Sequence, residues 1–266
     1  MRMLLTSEGV HNQLIRDKLV ELIGKPIEQA NIVAVIDAIL PFGGDNTKTL
    51  ADLQRLRDLG WAQFDLLSLF AGPASLVESR LRSADVIFCY GGSNHWLAHA
   101  WISSGLAPVL AELLEGVTGD VLDGLSDGLP HDLPHGLHHD PPHGLPHEKV
   151  YLGWSAGSMI FSRRQSESVE AFSDQDEVAM FELSTVAPAV PLFDWTVICH
   201  RGAEWQPQVT DEVIARCAAR LGGPVYFLDD DTALLVRDAA SAPEVVSTGQ
   251  WRLFDGEGRV VEQSAS

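Results

Sequence analysis

One serine in this sequence is flanked by glycines at a spacing that nucleophilic hydrolysis uses. The apolar run 150–152 leads into Gly-Trp-Ser-Ala-Gly at 153–157. The pattern Gly-x-Ser-x-Gly indicates a buried strand that turns sharply into a helix, with the serine hydroxyl raised at the start of the helix. Backbone N–H groups at that place can stabilise negative charge on a carbonyl oxygen. A plain turn between a strand and a helix fits the same five residues, so the rest of the chain must decide.

A serine nucleophile needs a base within hydrogen-bond distance and a third group that orients the base. His200 is the one histidine after Ser155 in the sequence, and it follows the apolar run 195–199. We therefore expect His200 at the end of a buried strand, at the same sheet edge as the serine, with His95 and His99 as alternatives. The residues alone leave the acid open, because seven carboxylates lie between serine and histidine: Glu167, Glu170, Asp174, Asp176, Glu177, Glu182 and Asp194.

A second glycine-rich turn, Gly-Gly-Ser-Asn at 91–94, follows the apolar run 85–90. An oxyanion hole needs two N–H donors, and the residue after the nucleophile, here Ala156, commonly supplies the first. The turn at 91–94 can supply the second, because both turns are predicted at the carboxyl ends of strands. A dinucleotide-binding turn is not indicated, since the third glycine and the following acidic residue of that fingerprint are missing.

Apolar runs and amphipathic segments alternate along the chain, which is typical of a parallel sheet covered by helices on both faces. The runs predicted as strands of this sheet are 2–6, 31–40, 64–70, 85–90, 150–152 and 195–199. Helical spacing predicts helices at 10–23, 50–59, 75–82, 96–103, 109–114 and 210–221. Short strands at 224–228, 233–236, 244–247 and 251–254 are predicted as antiparallel and peripheral. The predicted fold class is α/β with a mostly parallel sheet, in a single domain over residues 1–266.

The composition limits the classes of partner. The chain has 266 residues, of which 45% are hydrophobic, and a net charge of −19. Such a charge argues against nucleic acids and anionic membranes, because both require a basic face.

The N-terminal apolar run is too short for a signal peptide and no apolar stretch has the length of a membrane span, so we expect a cytoplasmic protein. Cys89, Cys199 and Cys217 lack metal or redox spacing, so neither a metal nor another cofactor is predicted.

One segment interrupts the alternation. Residues 128–147 form five tetrapeptides related to Gly-Leu-Pro-His, each of which ends in histidine. A spacing of four would place these imidazoles on one helical face, but the prolines of the repeats exclude a regular helix. We therefore interpret residues 120–148 as an inserted low-complexity loop rich in His, Pro and Gly, to which no metal is assigned.

Taken together, these motifs resemble one family. Gly-Trp-Ser-Ala-Gly at 153–157, the Gly-Gly-x-Asn turn at 91–94 and the histidine at the end of the next strand resemble the peptidase E and cyanophycinase family of serine peptidases. Pro-Phe at 41–42 and the segment 228–234 are similar to that family as well. The resemblance covers most of the chain outside the histidine-rich segment and is closer to the peptidase E branch. It implies a flavodoxin-like sheet related to class I glutamine amidotransferases, and hydrolysis of short peptides, which in peptidase E are dipeptides that begin with aspartate.

The resemblance also implies roles for single residues. Ser155 matches the nucleophile and His200 matches the base. The position of the family's triad aspartate corresponds to Glu170 here, with Asp174 and Asp176 as the second and third choices. A glutamate can orient an imidazole as an aspartate does if the backbone lies slightly farther away.

The oxyanion loop and the substrate side of the family also map onto this chain. The loop falls on Gly92 and Ser93, with Asn94 beside it, and Ser93 stands where the family has a third glycine. Peptidase E has an arginine that helps to hold the substrate aspartate before the helix that follows its histidine. The corresponding residues 208–210 here are Gln-Val-Thr. The resemblance therefore predicts peptidase chemistry and leaves a preference for aspartate open.

The expected function is hydrolysis of short peptides through a Ser-His-Glu/Asp triad and an acyl-enzyme, with dipeptides that begin with aspartate as one candidate class. The expected partner is a small peptide substrate, and a homodimer stays open as the assembly state. Two alternatives remain at this point: an esterase or amidohydrolase of the same fold, and a binding protein that has lost activity. Ser93 and Glu170, which depart from the family pattern, keep these alternatives open.

Overall fold

The computed structural model describes residues 1–115 and 149–264. The loop interpreted at residues 120–148 lies outside the described residues. The strands are β1 Met3–Thr6, β2 Asn31–Val35, β3 Gln63–Leu67, β4 Val86–Cys89, β5 Val150–Trp154, β6 Thr196–Ile198, β7 Val225–Leu228, β8 Thr232–Val236, β9 Glu244–Ser247, β10 Trp251–Phe254 and β11 Val260–Gln263. The α-helices are α1 Gln13–Ile23, α2 Thr47–Arg57, α3 Ala74–Ser83, α4 Asn94–Ser103, α5 Ala107–Glu115, α6 Ala156–Met159, α7 Gln165–Phe172, α8 Gln175–Met180 and α9 Asp211–Leu221.

A seven-stranded sheet forms the centre of the described structure, in the order β3-β2-β4-β5-β1-β8-β9. The strands from β3 to β1 run parallel, whereas β8 and β9 continue the sheet as antiparallel strands beyond β1. This arrangement confirms the predicted α/β class with a mostly parallel, flavodoxin-like sheet. The prediction that 233–236 is peripheral is wrong, because β8 pairs with β1 and is buried along its whole length.

The central strands are buried on both faces, which explains their continuous apolar sequence. In β1, Met3 and Leu5 pack into one core and Leu4 packs into the other, since neighbouring side chains of a strand point to opposite faces. Trp101 of α4 fills the first core, and Leu19 of α1 fills the second. This packing fixes the carboxyl ends of β1, β4 and β5 side by side at one edge of the sheet.

A second sheet has four strands, in the order β11-β10-β7-β6. It contains the predicted strand 195–199, which is shorter than expected and pairs in parallel with β7 instead of joining the main sheet. Helix α9 packs against β7 and β10. The two sides of the site are therefore built on different sheets, with Ser155 on the first and His200 on the second.

Two helices after the serine were not indicated by the sequence pattern. The helix predicted after the serine is short and ends at Met159, and α7 and α8 follow. Ser173 ends α7 in the left-handed conformation, with φ of +66°, and the N–H of Asp174 then donates to the carbonyl of Val169 at 2.9 Å. This tight junction turns the chain back, so that α7 and α8 form one wall beside the serine.

Among the described residues, no single helix is long and apolar enough to cross a membrane. The pair α4 and α5 passes that test of length and composition only when the two helices are taken together, and they are bent by 100° at the break between them.

Candidate active site

Ser155 lies on the tight turn between β5 and α6. Its backbone has φ of +50° and ψ of −113°, a conformation that is uncommon for a residue with a side chain. The N–H of Ser155 donates to the carbonyl of Thr6 at 3.0 Å, and the N–H of Ser158 donates to the carbonyl of Ser155 at 2.7 Å. The turn is thus tied to the end of β1, and Ser155 lines a cleft at the carboxyl ends of the strands. This is the geometry of a nucleophile elbow.

Close backbone contacts require the glycines on both sides of Ser155. A Cβ atom on Gly157 would lie 2.1 Å from the carbonyl oxygen of Cys89, at the end of β4. A Cβ atom on Gly153 would lie 2.8 Å from the carbonyl oxygen of Gly157. The hydroxyl of Thr6 donates to the carbonyl of Gly153 at 2.6 Å, so β1 also meets the turn. Three adjacent strands therefore converge on the elbow and leave no room for side chains there.

We expect Gly157→Ala to lower the free energy of unfolding by about 3 kcal/mol or more, because the new methyl group meets a backbone carbonyl that cannot move aside. Urea unfolding followed by circular dichroism measures this change. Gly43→Ala is the matched control, since a Cβ atom on Gly43 meets nothing within 4 Å. Equal stability of the two variants would contradict the close packing of the elbow.

His200 faces Ser155 from the loop after β6. Its Nε2 lies 2.9 Å from Oγ of Ser155, which is a hydrogen-bond distance. The backbone of His200 has φ of +64°, and its N–H donates to Oγ of Ser7 at 2.8 Å. The ring is buried and packs edge-on against Trp205, with 4.8 Å between the ring centres. His200 is thus held where it can accept the proton of the Ser155 hydroxyl.

The carboxylate in contact with His200 is Asp230, in the turn between β7 and β8. Its Oδ1 lies 2.7 Å from Nδ1 of His200. With a proton on Nδ1, the opposite nitrogen Nε2 is left as the acceptor for the serine proton. Glu170, which the resemblance implied as the acid, is exposed on α7 and has no hydrogen bond to His200 in the described structure. Asp174 and Asp176 do not contact His200 either, so the predicted acid is corrected to Asp230.

The chain order explains why Asp230 was missed. In the sequence Asp230 follows His200, whereas the predicted acids Glu170, Asp174 and Asp176 all precede it, and the strands around Asp230 are predicted as peripheral. In the structure β8 is antiparallel to β1, so the turn at 229–231 lies at the same edge as the end of β1. Three consecutive aspartates between two apolar runs were the signal that could have indicated this position.

Ser7 connects the imidazole and the carboxylate from the end of β1. Its Oγ accepts the N–H of His200 and donates to Oδ1 of Asp230 at 3.0 Å. Burial acts to raise the pKa of the Asp230 carboxyl, but the hydrogen bond and charge of His200, together with the Ser7 hydroxyl, outweigh burial and lower this pKa. Asp230 is therefore ionised at neutral pH, which is the state that stabilises a protonated imidazole.

The predicted oxyanion loop lies beside the elbow, but its two residues differ in what they can donate. Gly92 has φ of +135°, and a Cβ atom there would lie 2.3 Å from the carbonyl oxygen of Ala38. The N–H of Ser93 donates to the same carbonyl at 3.0 Å, so it is not available to an oxyanion. The N–H groups of Gly92 and Ala156 have no hydrogen bond among the described residues. These two N–H groups, one on each turn, remain the candidates for the oxyanion hole.

Within residues 1–115 and 149–264, one group of three side chains could hold a metal ion. Glu8, His200 and Asp230 place their ligand atoms within 4.8 Å of one another. Glu8 already pairs with Nζ of Lys48 at 3.1 Å, and Asp230 accepts from His200. A metal on Nδ1 of His200 would move the ring proton to Nε2 and remove the acceptor that faces Ser155. The arrangement therefore fits an oriented base better than a metal ligand set.

The cleft in front of Ser155 has a volume of about 270 Å³. The elbow, the loop of His200 and the helices α7, α8 and α9 form its walls, and Asn94 lines it next to Gly92. Met159, Phe172 and Val213 contribute apolar surface. A cleft of this size is small among ligand sites and suits a ligand of one or two amino-acid residues.

Treatment with iodoacetamide at neutral pH should leave any hydrolytic activity unchanged. Sγ of Cys199 lies 4.0 Å from the carbonyl oxygen of Ser155, and burial raises the pKa of its thiol to about 12. Burial likewise raises the pKa of Cys89 to about 12, so neither residue forms the reactive thiolate. The measurement is residual activity after alkylation, with mass spectrometry to count adducts. Loss of activity that parallels alkylation of Cys199 would assign the chemistry to a thiol instead of the serine.

Comparisons with known proteins place the chain in a family. The sequence profile of Peptidase family S51 matches residues 3–129 and 143–242, which is most of the chain. No curated protein sequence matches it.

Two solved structures are similar in fold. One is a Listeria monocytogenes EGD-e protein assigned provisionally to peptidase E, with 16% identity and a TM-score of 0.62 over 93% of this chain and 98% of that chain. The other is a peptidase from an acI-B1 actinobacterium, with 16% identity and a TM-score of 0.60 over 100% of this chain and 94% of that chain. The family profile and the fold agree with the resemblance stated from the motifs. The chain belongs to peptidase family S51 and to the peptidase E-like serine peptidases.

Proposed function

We propose that this protein hydrolyses short peptides through an acyl-enzyme on Ser155. The observation that carries the proposal is the line of contacts from Oγ of Ser155 to Nε2 of His200 at 2.9 Å, and from Nδ1 of His200 to Oδ1 of Asp230 at 2.7 Å. These contacts support the roles of nucleophile for Ser155, base for His200 and orienting acid for Asp230.

The chemistry follows from these contacts. Oγ of Ser155 attacks the peptide carbonyl carbon while Nε2 of His200 takes the hydroxyl proton, and the carbonyl oxygen becomes negatively charged. The N–H groups of Gly92 and Ala156 stabilise that oxygen, and Asp230 stabilises the imidazolium. His200 then gives its proton to the leaving amine as the C–N bond breaks. A water molecule, deprotonated by His200, releases the acyl group and restores the Ser155 hydroxyl.

The small cleft supports short substrates. A volume of about 270 Å³ bounded by three helices leaves little space for a polypeptide that continues on both sides of the cleaved bond. We propose that the enzyme is an exopeptidase or dipeptidase on this ground. The buried cysteines Cys89, Cys199 and Cys217, none of which is in a disulfide, fit the cytoplasmic location expected from the sequence.

A peptide panel tests the proposal. The panel contains dipeptides with Asp, Leu, Lys or Gly in the first position, longer peptides that contain the same pairs internally, and the corresponding ethyl esters. Mass spectrometry of the products should show cleavage of dipeptides at rates well above those of internal bonds. Cleavage of esters alone would favour the esterase alternative. Faster cleavage of internal bonds would contradict the exopeptidase proposal.

A further inference from the structure

Two carboxylates, Asp174 and Glu177, line the same cleft as Ser155. In the part of the chain that the structure describes, no lysine or arginine lines this cleft. Its other ionisable side chains are His200 and the buried cysteines Cys199 and Cys217. The charge that a substrate meets beside the nucleophile is therefore negative.

Asp174 is held in place by a buried pair of side chains. Its Oδ2 lies 3.1 Å from Nε2 of His95, whose side chain has 0% exposure. The amide nitrogen of Gln165 faces Nδ1 of His95 at 3.4 Å, and Gln165 is 2% exposed. In this arrangement the Nε2–H of His95 donates to Asp174, and the buried pair of His95 and Gln165 holds the carboxylate at the cleft wall.

Glu177 is held by the turn next to the elbow. The hydroxyl of Ser93 donates to Oε1 of Glu177, and the same Oγ accepts the N–H of Trp96 at 2.9 Å at the start of α4. Ser93 therefore has a structural task that a glycine could not perform. Neither Glu177 nor Asp174 is paired with a lysine or arginine among the described residues. The two carboxylates are oriented acceptors with remaining capacity for a cationic donor.

We propose, on the basis of the proposed function, that the cleft selects substrates whose acyl residue carries a positively charged nitrogen. Asp174 and Glu177 attract such a group, and they repel an aspartate or glutamate in the same place because no cation of the described cleft offsets them. Met159, Phe172 and Val213 can pack against the methylene groups of a lysine or arginine while its charged end reaches the carboxylates. Both a basic side chain and the free α-amino group of a dipeptide present this chemistry.

Matched substrates distinguish these two sources. The values of kcat/KM are compared for Lys-Leu, norleucine-Leu and Asp-Leu, each with a free and an acetylated N-terminus, in 150 mM salt. If the basic side chain is recognised, kcat/KM of Lys-Leu should exceed that of norleucine-Leu about tenfold or more, whether or not the N-terminus is acetylated. This factor is the one expected for one charge-assisted hydrogen bond. If the α-amino group is recognised, kcat/KM of each free peptide should exceed that of its acetylated form by a similar factor. The proposal would be overturned if Asp-Leu had the highest kcat/KM of the three peptides. It would also be overturned if neither the lysine side chain nor the free N-terminus raised kcat/KM.

Variants connect the preference to the carboxylates. The double variant Asp174→Asn/Glu177→Gln should lose most of the tenfold preference, because both side chains keep their size and lose their charge. Asp176→Asn is the matched control, since Asp176 is an exposed carboxylate on the same helix as Glu177 and does not line the cleft. A preference that survives in the double variant, or that falls equally in the control, would contradict the proposal.

Binding to an inactive variant separates this proposal from the proposed function. Calorimetric titration of Ser155→Ala with lysine amide, norleucine amide and Nα-acetyl-lysine amide requires no turnover. Tighter binding of lysine amide than of norleucine amide, or of lysine amide than of Nα-acetyl-lysine amide, supports the charged cleft even if no peptide is hydrolysed. Equal binding of all compounds, or none, would contradict it even if peptides are hydrolysed.

Discussion

Ser155→Ala is expected to lower kcat on a cleaved dipeptide by at least about 10,000-fold, because the nucleophile is lost while the rest of the cleft stays intact. The residual rate should come from substrate binding and from the N–H groups of Gly92 and Ala156. The measurement is product formation by mass spectrometry over long incubations, with highly purified protein to exclude contaminating peptidases.

Ser166→Ala is the matched control for this prediction. Ser166 is exposed on α7 and its hydroxyl donates to Glu167, away from the cleft lining. The control variant should keep the wild-type rate within about twofold, as is usual for surface substitutions. If Ser155→Ala lowered kcat no more than Ser166→Ala, Ser155 would not be the nucleophile.

Asp230→Asn is expected to lower kcat by about 10,000-fold, whereas Glu170→Gln should leave it within about twofold. The amide of an asparagine can donate toward Nδ1 of His200 and favour the tautomer with the proton on Nε2, which cannot accept the proton of Ser155. Glu170 is exposed and does not touch the imidazole. Asp231→Asn, at the neighbouring position, is a second control because its carboxylate contacts His11 and not His200. The reverse order of effects, with Glu170 essential and Asp230 dispensable, would return the role to the acid implied by the resemblance.

The pH dependence of Asp230→Asn follows from the lowered pKa of Asp230. A carboxyl whose pKa is lower in the folded protein contributes stability above its ordinary pKa of about 3.9, and this contribution is lost as pH falls through the folded-state pKa. Asp230 is thus ionised throughout the neutral range. In urea unfolding, the stability advantage of the wild type over Asp230→Asn should therefore shrink as the pH falls below about 4, and an advantage that grows with acidification would contradict the lowered pKa.

The sequence was sufficient to predict the turn at Ser155, the position of His200 beside it and the class of fold. The glycines around Ser155 are determined by local geometry, since their Cβ atoms would meet the carbonyls of adjacent strands. The continuous apolar runs of β1, β4 and β5 follow from burial on both faces. His200 could be selected because it is the one histidine after the serine. In each case a local pattern has a single physical cause.

The acid and the walls of the cleft could not be predicted in the same way. Asp230 reaches His200 only because β8 runs antiparallel to β1 and β6 pairs with β7 in a second sheet. The pairing of β1 with β8 joins residues that are far apart in the sequence, which a local pattern does not indicate. Similarly, Ser93 was assigned to the oxyanion loop, although its N–H binds Ala38 and its hydroxyl binds Glu177. Which hydrogen bonds a polar residue makes depends on the tertiary neighbours, which residue type alone does not specify.

Labelling with a fluorophosphonate tests the central claim, that Ser155 is a nucleophile activated by His200. Intact-mass spectrometry followed by peptide mapping would show whether an adduct forms and where it lies. We predict one adduct per chain, located on Ser155, and at least a hundredfold slower labelling in His200→Ala, since the hydroxyl then lacks its base. An adduct on another residue, no adduct, or unchanged labelling in His200→Ala would contradict the account.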